Sequence, residues 1–411
     1  MTATLSASAD VIQIRYNKGC PKLVYNRAKA KTFMALPKSE DWKGGDWHIA
    51  VQNENPQGSS ADFDVAVGSL AQGNYRKFTV PRVEHFGLAR IKSQALEAVK
   101  EDEGAFVDLW KNEVDGAMTT ELMNHEIYLM GDGSGILGAV SSGSTVTNAT
   151  ITLTTISDAA KFCLNMRVRG VTTGLTPTLL AGTATITGIN RATGTLTVAS
   201  TWSGEITGLV AGTHSLVRAG DQASGGTPTV LSGIRRWIDQ TASTRFGLDS
   251  TSDVVRFAGL TYDATGVPYG EALVEASARV NQQGGNQPTL AVAHPRDIAN
   301  FKKSVDAKRT YTRDIYNTKV GVSFPAIVVE GDEGEIKMIS SPFQTRNVVG
   351  LLDPDSWKIR SLKAAPHIQD FDDNQFMRVS GADALEVRIA SWLNVGCFAP
   401  YSNVIITNWG A

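Results

Sequence analysis

The stretch from Asp102 to Gly138, DEGAFVDLWKNEVDGAMTTELMNHEIYLMGDGSGILG, decides how the rest of the chain is read. Apolar side chains at Phe106, Trp110, Val114, Met118 and Leu122 follow in four-residue steps, which places them on one face of a helix; Leu129 and Met130 extend the pattern. Glu103, Asp108, Lys111, Glu113, Asp115, Glu121 and Glu126 occupy the other faces, which suits them to water or polar neighbours. At 1.5 Å per residue the helix spans roughly 40 Å, the width of a small domain. It stops at Gly131-Asp-Gly-Ser-Gly135. Gly131 stands where a helix C-terminus favours a left-handed residue, and the residues after it are turn chemistry.

Working outward, residues 61–91 read as two extended runs around the turn Gly68 to Asn74, with Phe63, Val65 and Val67 alternating in the first and Phe78 and Val80 in the second. Pro81 assigns the second run to a sheet edge. The preceding residues, with Lys18, Lys22, Arg27, Lys29 and Lys31 among isolated apolar side chains, show no sustained period and read as an extended arm or a partly disordered tail. On the other side of the helix, Val140 to Thr229 is rich in Thr and Gly and poor in acids. Its alternations (Ile151 to Thr154, Thr185 to Thr187, Thr195 to Val198, and Phe162, Leu164, Met166, Val168) and the turn Asn190 to Gly194 predict a small β-domain.

The main fold resumes at Gly233-Ile-Arg-Arg-Trp-Ile238. A helix opens at Pro268, carries Leu273, Val274, Ser277 and Val280, and ends at Gly284-Gly285. A strand over Leu290 to Ala293, a helix to Val305, and strands Ala326 to Glu330 and Glu335 to Ile339 complete a mixed α+β core. Val348 to Leu362, Phe376 to Val379, Leu385 to Trp392 and Asn403 to Trp409 are expected to form a second sheet beside the long helix, closed by the C-terminus.

Length and composition bound the function. A chain of 411 residues suggests two or three cores, and 42% hydrophobic with 19% charged residues is ordinary globular composition. A net charge of −2 argues against a dedicated nucleic-acid binder, which would carry a basic excess. No run approaches the roughly 18 apolar residues that span a bilayer. The start, MTATLSASA, lacks the basic and apolar regions of a signal peptide. Cys20, Cys163 and Cys397 are odd in number and far apart, which fits a reducing cytoplasm better than a disulfide framework.

No catalytic, cofactor or metal constellation emerges. His48, His85, His125, His214, His294 and His367 include no pair at helical zinc spacing, His125-Glu126 lacks a second histidine, and there is no Cys-x-x-Cys. The Gly131 to Gly138 glycines leave a helix C-terminus, where the dipole repels anions, so they do not make a phosphate loop. Gly133-Ser134-Gly135 lacks the spacing of a nucleophile elbow. Asp370, Asp372 and Asp373 lack the glycine and terminal glutamate of a calcium loop and read as a solvated turn.

The long helix with its Gly-Asp-Gly-Ser-Gly stop, the hairpin before it, and Thr289-Leu-Ala-Val-Ala-His-Pro-Arg-Asp297 leading into Ile298 to Val305 together resemble the major capsid proteins of tailed bacteriophages, the Hong Kong 97 fold family. The resemblance covers nearly the whole chain outside 140–229. It implies an α+β fold divided into an N-terminal arm (1–55), an E-loop hairpin (56–92), a P-domain spine helix (93–139), an inserted small β-domain (140–229), an A-domain (230–345), and the A-domain return with P-domain strands (346–411). It further implies a non-enzymatic subunit that self-assembles through pentamers and hexamers into an icosahedral shell around double-stranded DNA, contacting the DNA weakly and without sequence specificity. Portal and scaffolding proteins are implied partners, a decoration protein is a further candidate, and assembly would take place in the bacterial host cytoplasm. Some members cross-link an E-loop lysine to a P-domain asparagine; Lys77 and Asn374 stand in those regions, with non-covalent contact the default. The alternatives are an encapsulin-type compartment, which keeps the fold, and a fibre or adhesin, which would require tandem repeats that the sequence lacks.

Overall fold

The computed structural model describes residues 30–92, 109–174, 177–222, 229–241, 244–304, 312–317, 322–370, 377–379, 381 and 383–410. The described chain divides into two compact units. The larger takes residues up to His85, then Leu122–Ala365 and Ser391 onward; the smaller takes Phe86–Glu121 and Pro366–Ala390.

The larger unit begins with a short helix α1 (Lys31–Ala35) and then strand β1 (Trp47–Glu54), short helix α2 (Phe63–Gly68) and strand β2 (Asn74–Val80). β1 and β2 form an antiparallel two-stranded hairpin with Trp47 opposite Val80 and Glu54 opposite Asn74. The hairpin therefore starts at residue 47, inside the stretch expected to be arm. The run Phe63, Val65, Val67 is helical rather than extended, because Asp62 accepts hydrogen bonds from the backbone of Asp64 and Val65 and so caps a first turn.

Strand β3 (Val83–Lys92) leads toward the long helix α3, described over Leu109–Leu129. Of the expected stripe, Phe106 and the side chain of Trp110 lie outside the described part, while Val114, Met118 and Leu122 are half-buried. Burial is instead concentrated in the last two turns, where Met123 through Met130 are all buried, including Asn124, His125 and Glu126; Glu121 is buried as well. The polar face assigned to Glu121 and Glu126 thus does not meet water. The left-handed residues of the turn that follows are Gly133 (φ +82°) and Gly135 (φ +81°), not Gly131.

Six strands then build a sheet of their own: β4 (Ile136–Ala139), β5 (Thr150–Thr152), β6 (Arg167–Thr172), β7 (Ala184–Asn190), β8 (Thr195–Val198) and β9 (His214–Arg218). Their spatial order is β4-β9-β6-β7-β8-β5, antiparallel throughout. Val140 bridges Leu153, with Ser141 donating to Thr152 and Thr154 to Ala139 (2.9 Å each), so the last strand meets the first and the sheet closes. Ile151, Phe162, Val168, Ile186, Leu196 and Leu216 fill the interior. The β7–β8 turn lies where Asn190 to Gly194 predicts it, with Gly194 at φ +71°. The Phe162 to Val168 alternation is not a continuous strand: Asn165 turns the chain at φ +62° and leaves Leu164 exposed.

A short helix α4 (Ile234–Trp237) brings the chain to a seven-stranded mixed sheet. The elements that follow in sequence are β10 (Leu260–Asp263), α5 (Tyr269–Gln282), β11 (Leu290–Ala293), α6 (Pro295–Ser304), β12 (Thr312–Asn317), β13 (Val322–Glu330), β14 (Glu335–Ser340), β15 (Val349–Leu352), then β16 (Trp357–Ser361) and β17 (Ala384–Cys397), which belong to another sheet, and β18 (Val404–Thr407). The sheet order is β10-β18-β15-β11-β14-β13-β12. Ala272, Leu273, Ala276 and Val280 of α5 and Ile298 and Phe301 of α6 pack on Ile336, Met338, Val349, Leu351, Val404 and Ile406. Trp409 closes this core and donates its indole N–H to the Tyr269 carbonyl at 3.0 Å. β15 and β18 belong to this sheet, correcting their assignment to the sheet beside the long helix; β18 runs parallel to β10 and antiparallel to β15, so both of its edges are satisfied here. β16 pairs with the second half of β17 and, in parallel, with Lys38–Ser39.

In the smaller unit the first half of β17 pairs with the short strands His367–Ile368 and Met377–Arg378. β3 pairs with β17, and Arg90 and Arg388 both bind the buried Glu386 carboxylate, at 2.7 and 2.9 Å.

Candidate functional site

The β1–β2 hairpin has a firm base and a bare tip. At the base, Phe78 is fully buried, edge-on to Trp237 (5.2 Å between centroids) and Phe257 (6.3 Å), while Phe246 stacks on Trp237 at 4.2 Å. Phe246 sits in the left-handed region (φ +44°), a costly conformation for an aromatic residue, and there its carbonyl receives the backbone N–H of Thr79 at 2.7 Å. Arg245, also buried, donates to the Trp237 carbonyl at 3.0 Å. Asn394 donates to the Pro81 carbonyl (2.6 Å) and accepts from the Ser232 N–H (2.9 Å), so the exit of the hairpin is tied to β17 and to the residues before α4. On the other edge, Trp47 packs against Trp42 and Phe398 and carries the Arg360 guanidinium over its ring at 4.7 Å.

Beyond the base, Gln57 and Ala71 exchange two backbone hydrogen bonds of 3.0 Å, closing a loop that contains α2. Successive apolar residues two apart cannot share a helical face, and the loop buries none of them: Phe63 is 80% exposed and Leu70 75%, with Val65 and Val67 also exposed, and Tyr75 at the start of β2 is 70% exposed. A scattered exposed leucine is normal in a folded protein, but a loop that leaves a cluster of large apolar side chains uncovered is a candidate interaction surface. The surface was only partly readable. Asp62 ahead of Phe63 is a helix-cap signal, and Trp47, Ile49 and Val51 alternate as a strand should.

The glycine turn has a steric role. A Cβ on Gly135 would come 1.9 Å from the Asp221 carbonyl oxygen, and one on Gly233 would come 2.2 Å from that of Gly131 and 2.3 Å from that of Tyr128. The start and end of the six-stranded sheet domain are therefore in contact, and the segment before α4 covers the carbonyl end of α3.

Several buried polar groups near the end of α3 are paired with one another. Tyr128 donates its hydroxyl to Asp221, His85 lies 3.5 Å from the same carboxylate, and Arg218 reaches Asn124 at 2.7 Å. Burial raises the Asp221 carboxyl, yet hydrogen bonds from His85 and Tyr128 and the Arg218 charge outweigh it and hold it below the ordinary range. His125 lies 2.9 Å from Ser391 Oγ, a nucleophile-and-base spacing, but both side chains are buried. Burial, then the His85 and Lys38 charges, depress His125 to about 3. The remaining histidines are dispersed: His48 bonds Thr79, His214 accepts from Val210, His294 accepts from Arg296, and His367 sits in its short strand. Among the described residues no group of three His, Cys, Asp or Glu could hold a metal ion. Lys77 is exposed on β2; Asn374, Asp372 and Asp373 lie outside the described residues.

Residues 207–391 match the family described as SU10 major capsid protein. No curated protein matches the sequence. Among solved structures the chain is similar to the cyanophage A-1(L) capsid asymmetric unit, with TM-score 0.56, 10% identity and 99% of each chain covered. It is also similar to the holo-SrpI encapsulin complex from Synechococcus elongatus (TM-score 0.49, 9% identity, covering 99% of this chain and 96% of that one) and to a structure from Mycobacterium phage Ogopogo (0.48, 11%, 98% and 99%). Of these three, the cyanophage capsid exceeds a TM-score of 0.5, and at 10% identity it speaks to the fold alone.

Proposed function

We propose that this chain is a tailed-phage major capsid protein of the Hong Kong 97 fold family, a structural, non-enzymatic, shell-forming subunit, a reading supported by the family match over residues 207–391 and by the capsid-like fold, and that the β1–β2 hairpin is the arm by which one copy grips the next. The observation that carries this reading is the bare apolar tip on an anchored base. Covering a side chain such as Phe63 or Leu70 on a neighbour contributes about 1.5–3 kcal/mol, and each closed contact in a shell adds another such term. Subunits would assemble as pentamers and hexamers into an icosahedral shell around double-stranded DNA, with the near-neutral charge keeping the wall from gripping the genome. Assembly in the host cytoplasm, with portal and scaffolding proteins and a decoration protein as partners, belongs to the same proposal. The closed six-stranded sheet is read as a domain inserted at the end of the spine helix, supported by the contact between its two ends.

The test is the double substitution Phe63→Asp, Leu70→Asp. Both side chains are solvent-exposed, so the subunit should fold normally and remain as free subunits or capsomers. Normal closed particles from this variant would overturn the role of the hairpin.

A further inference from the structure

The end of α3 holds a carboxylate that the assembly surface does not use. Glu126 is fully buried. Its Oε2 accepts the backbone N–H of Phe33 at 2.8 Å, and its Oε1 accepts the Ser341 hydroxyl at 2.9 Å and the Thr32 N–H at 3.4 Å. These bonds fasten the first turn of α1, which follows directly on residues 1–29, to the core of the larger unit.

Among the described residues, few charged groups lie near this carboxylate. Lys38 lies over the Phe33 ring at 4.1 Å and supplies the local positive charge; Lys31 reaches Ser340 at 3.5 Å; His125 adjoins on α3, with the His85 ring 5.9 Å from its own. Lys38 is itself pushed down to about 8, first by burial, against the pull of Glu126. Lys38 therefore stays cationic below about pH 8 and compensates the desolvated carboxylate only in part.

Both protonation states of Glu126 can keep their hydrogen bonds. A proton on Oε1 needs an acceptor, and the Ser341 hydroxyl can turn from donor to acceptor while Phe33 stays on Oε2. The two states differ mainly in the cost of a buried charge, which is large when the ion is only partly compensated. Burial raises the Glu126 carboxyl above its ordinary 4.5, against the opposing hydrogen bonds from Phe33, Ser341 and Thr32.

We propose that Glu126 is a proton-operated latch for the segment that follows the N-terminal residues: neutral, it holds residues 30–39 against α3, and ionised, it loosens that hold. The sign follows from linkage. The docked state binds the proton more tightly than a released state in which water surrounds the carboxylate, so acid closes the latch and rising pH opens it. The inference concerns the fastening within one subunit and does not rest on the shell reading.

Hydrogen–deuterium exchange of peptides spanning residues 30–40 in the full chain tests it, corrected for intrinsic exchange and scanned from about pH 4.5 to 7.5, below the transition of Lys38 at about 8. Protection should fall with rising pH by up to about tenfold per pH unit across the transition. Glu126→Gln, a neutral near-isostere, should stay protected over the whole range. Lys38→Met and Ser341→Ala each remove a group that favours the ionised form, and each should move the fall to higher pH. A flat wild-type profile overturns the latch, as does a Glu126→Gln profile that follows the wild type or is unprotected throughout. Should Glu126→Gln fail to fold, unmoved profiles in the other two variants overturn it equally.

Discussion

The backbone N–H of Arg235 donates to the carbonyl oxygen of Gly131 at 3.2 Å, so after the whole six-stranded domain the chain returns to the turn it left. Gly233 makes that return possible by leaving no side chain between itself and the carbonyls at the end of α3. Gly233→Ala should therefore destabilise by about 1–3 kcal/mol or more, because the Cβ meets backbone that cannot rotate away. Thermal denaturation of the purified subunit measures it; an unchanged midpoint would mean the two segments can move apart freely.

The same closure predicts that the β-domain is removable. Replacing residues 136–220 with a short Gly/Ser linker joins Gly135 to Asp221, whose backbones already touch. The shortened chain should keep a cooperative unfolding transition and the far-ultraviolet signature of its remaining elements. Failure to fold would make the domain part of the main core.

Phe78 and Phe63 sit on the same hairpin and should behave oppositely. Phe78→Ala empties a fully buried site between Trp237 and Phe257 and should cost about 3–5 kcal/mol in urea unfolding. Phe63→Asp removes a side chain that touches little and should change subunit stability by no more than about 0.5 kcal/mol. Equal losses at the two positions would contradict the division into anchored base and free tip.

His125 gives the subunit an acid limit. Its ordinary value is 6.5 and its folded value about 3, so the unfolded chain binds the extra proton. Stability is whole above about pH 6.5 and is lost as pH falls toward 3, by up to about 1.4 kcal/mol per pH unit from this group. Glu126, raised by burial, opposes this as pH falls toward 4.5. Urea midpoints at about pH 7 and pH 5 should differ less in His125→Asn than in the wild type; equal differences would remove His125 from the account.

The parts of the fold legible in the sequence were those with a long period or an unambiguous turn. α3, α5, the strand-and-helix pair β11 and α6, and the Asn190 to Gly194 hairpin lie where the pattern places them, although the buried face of α3 is not the expected stripe and Val274 of α5 is exposed. Short elements misled. Phe63, Val65 and Val67 alternate like a strand, but Asp62 caps a helix there, and local capping outweighs three residues of pattern. The sheet membership of β15 and β18 depends on pairing between strands distant in sequence, which no local pattern encodes. The burial of Glu126 was illegible for a related reason: its partners Phe33 and Ser341 come from opposite ends of the chain, and a glutamate on an amphipathic helix reads by default as solvated.

Electron cryomicroscopy of the purified, assembled protein tests the central claim most directly. The account predicts closed icosahedral shells in which the loop carrying Phe63 and Leu70 is covered by a neighbouring subunit. Protein that remains monomeric under assembly conditions, or shells in which that loop stands free in solvent, would contradict it.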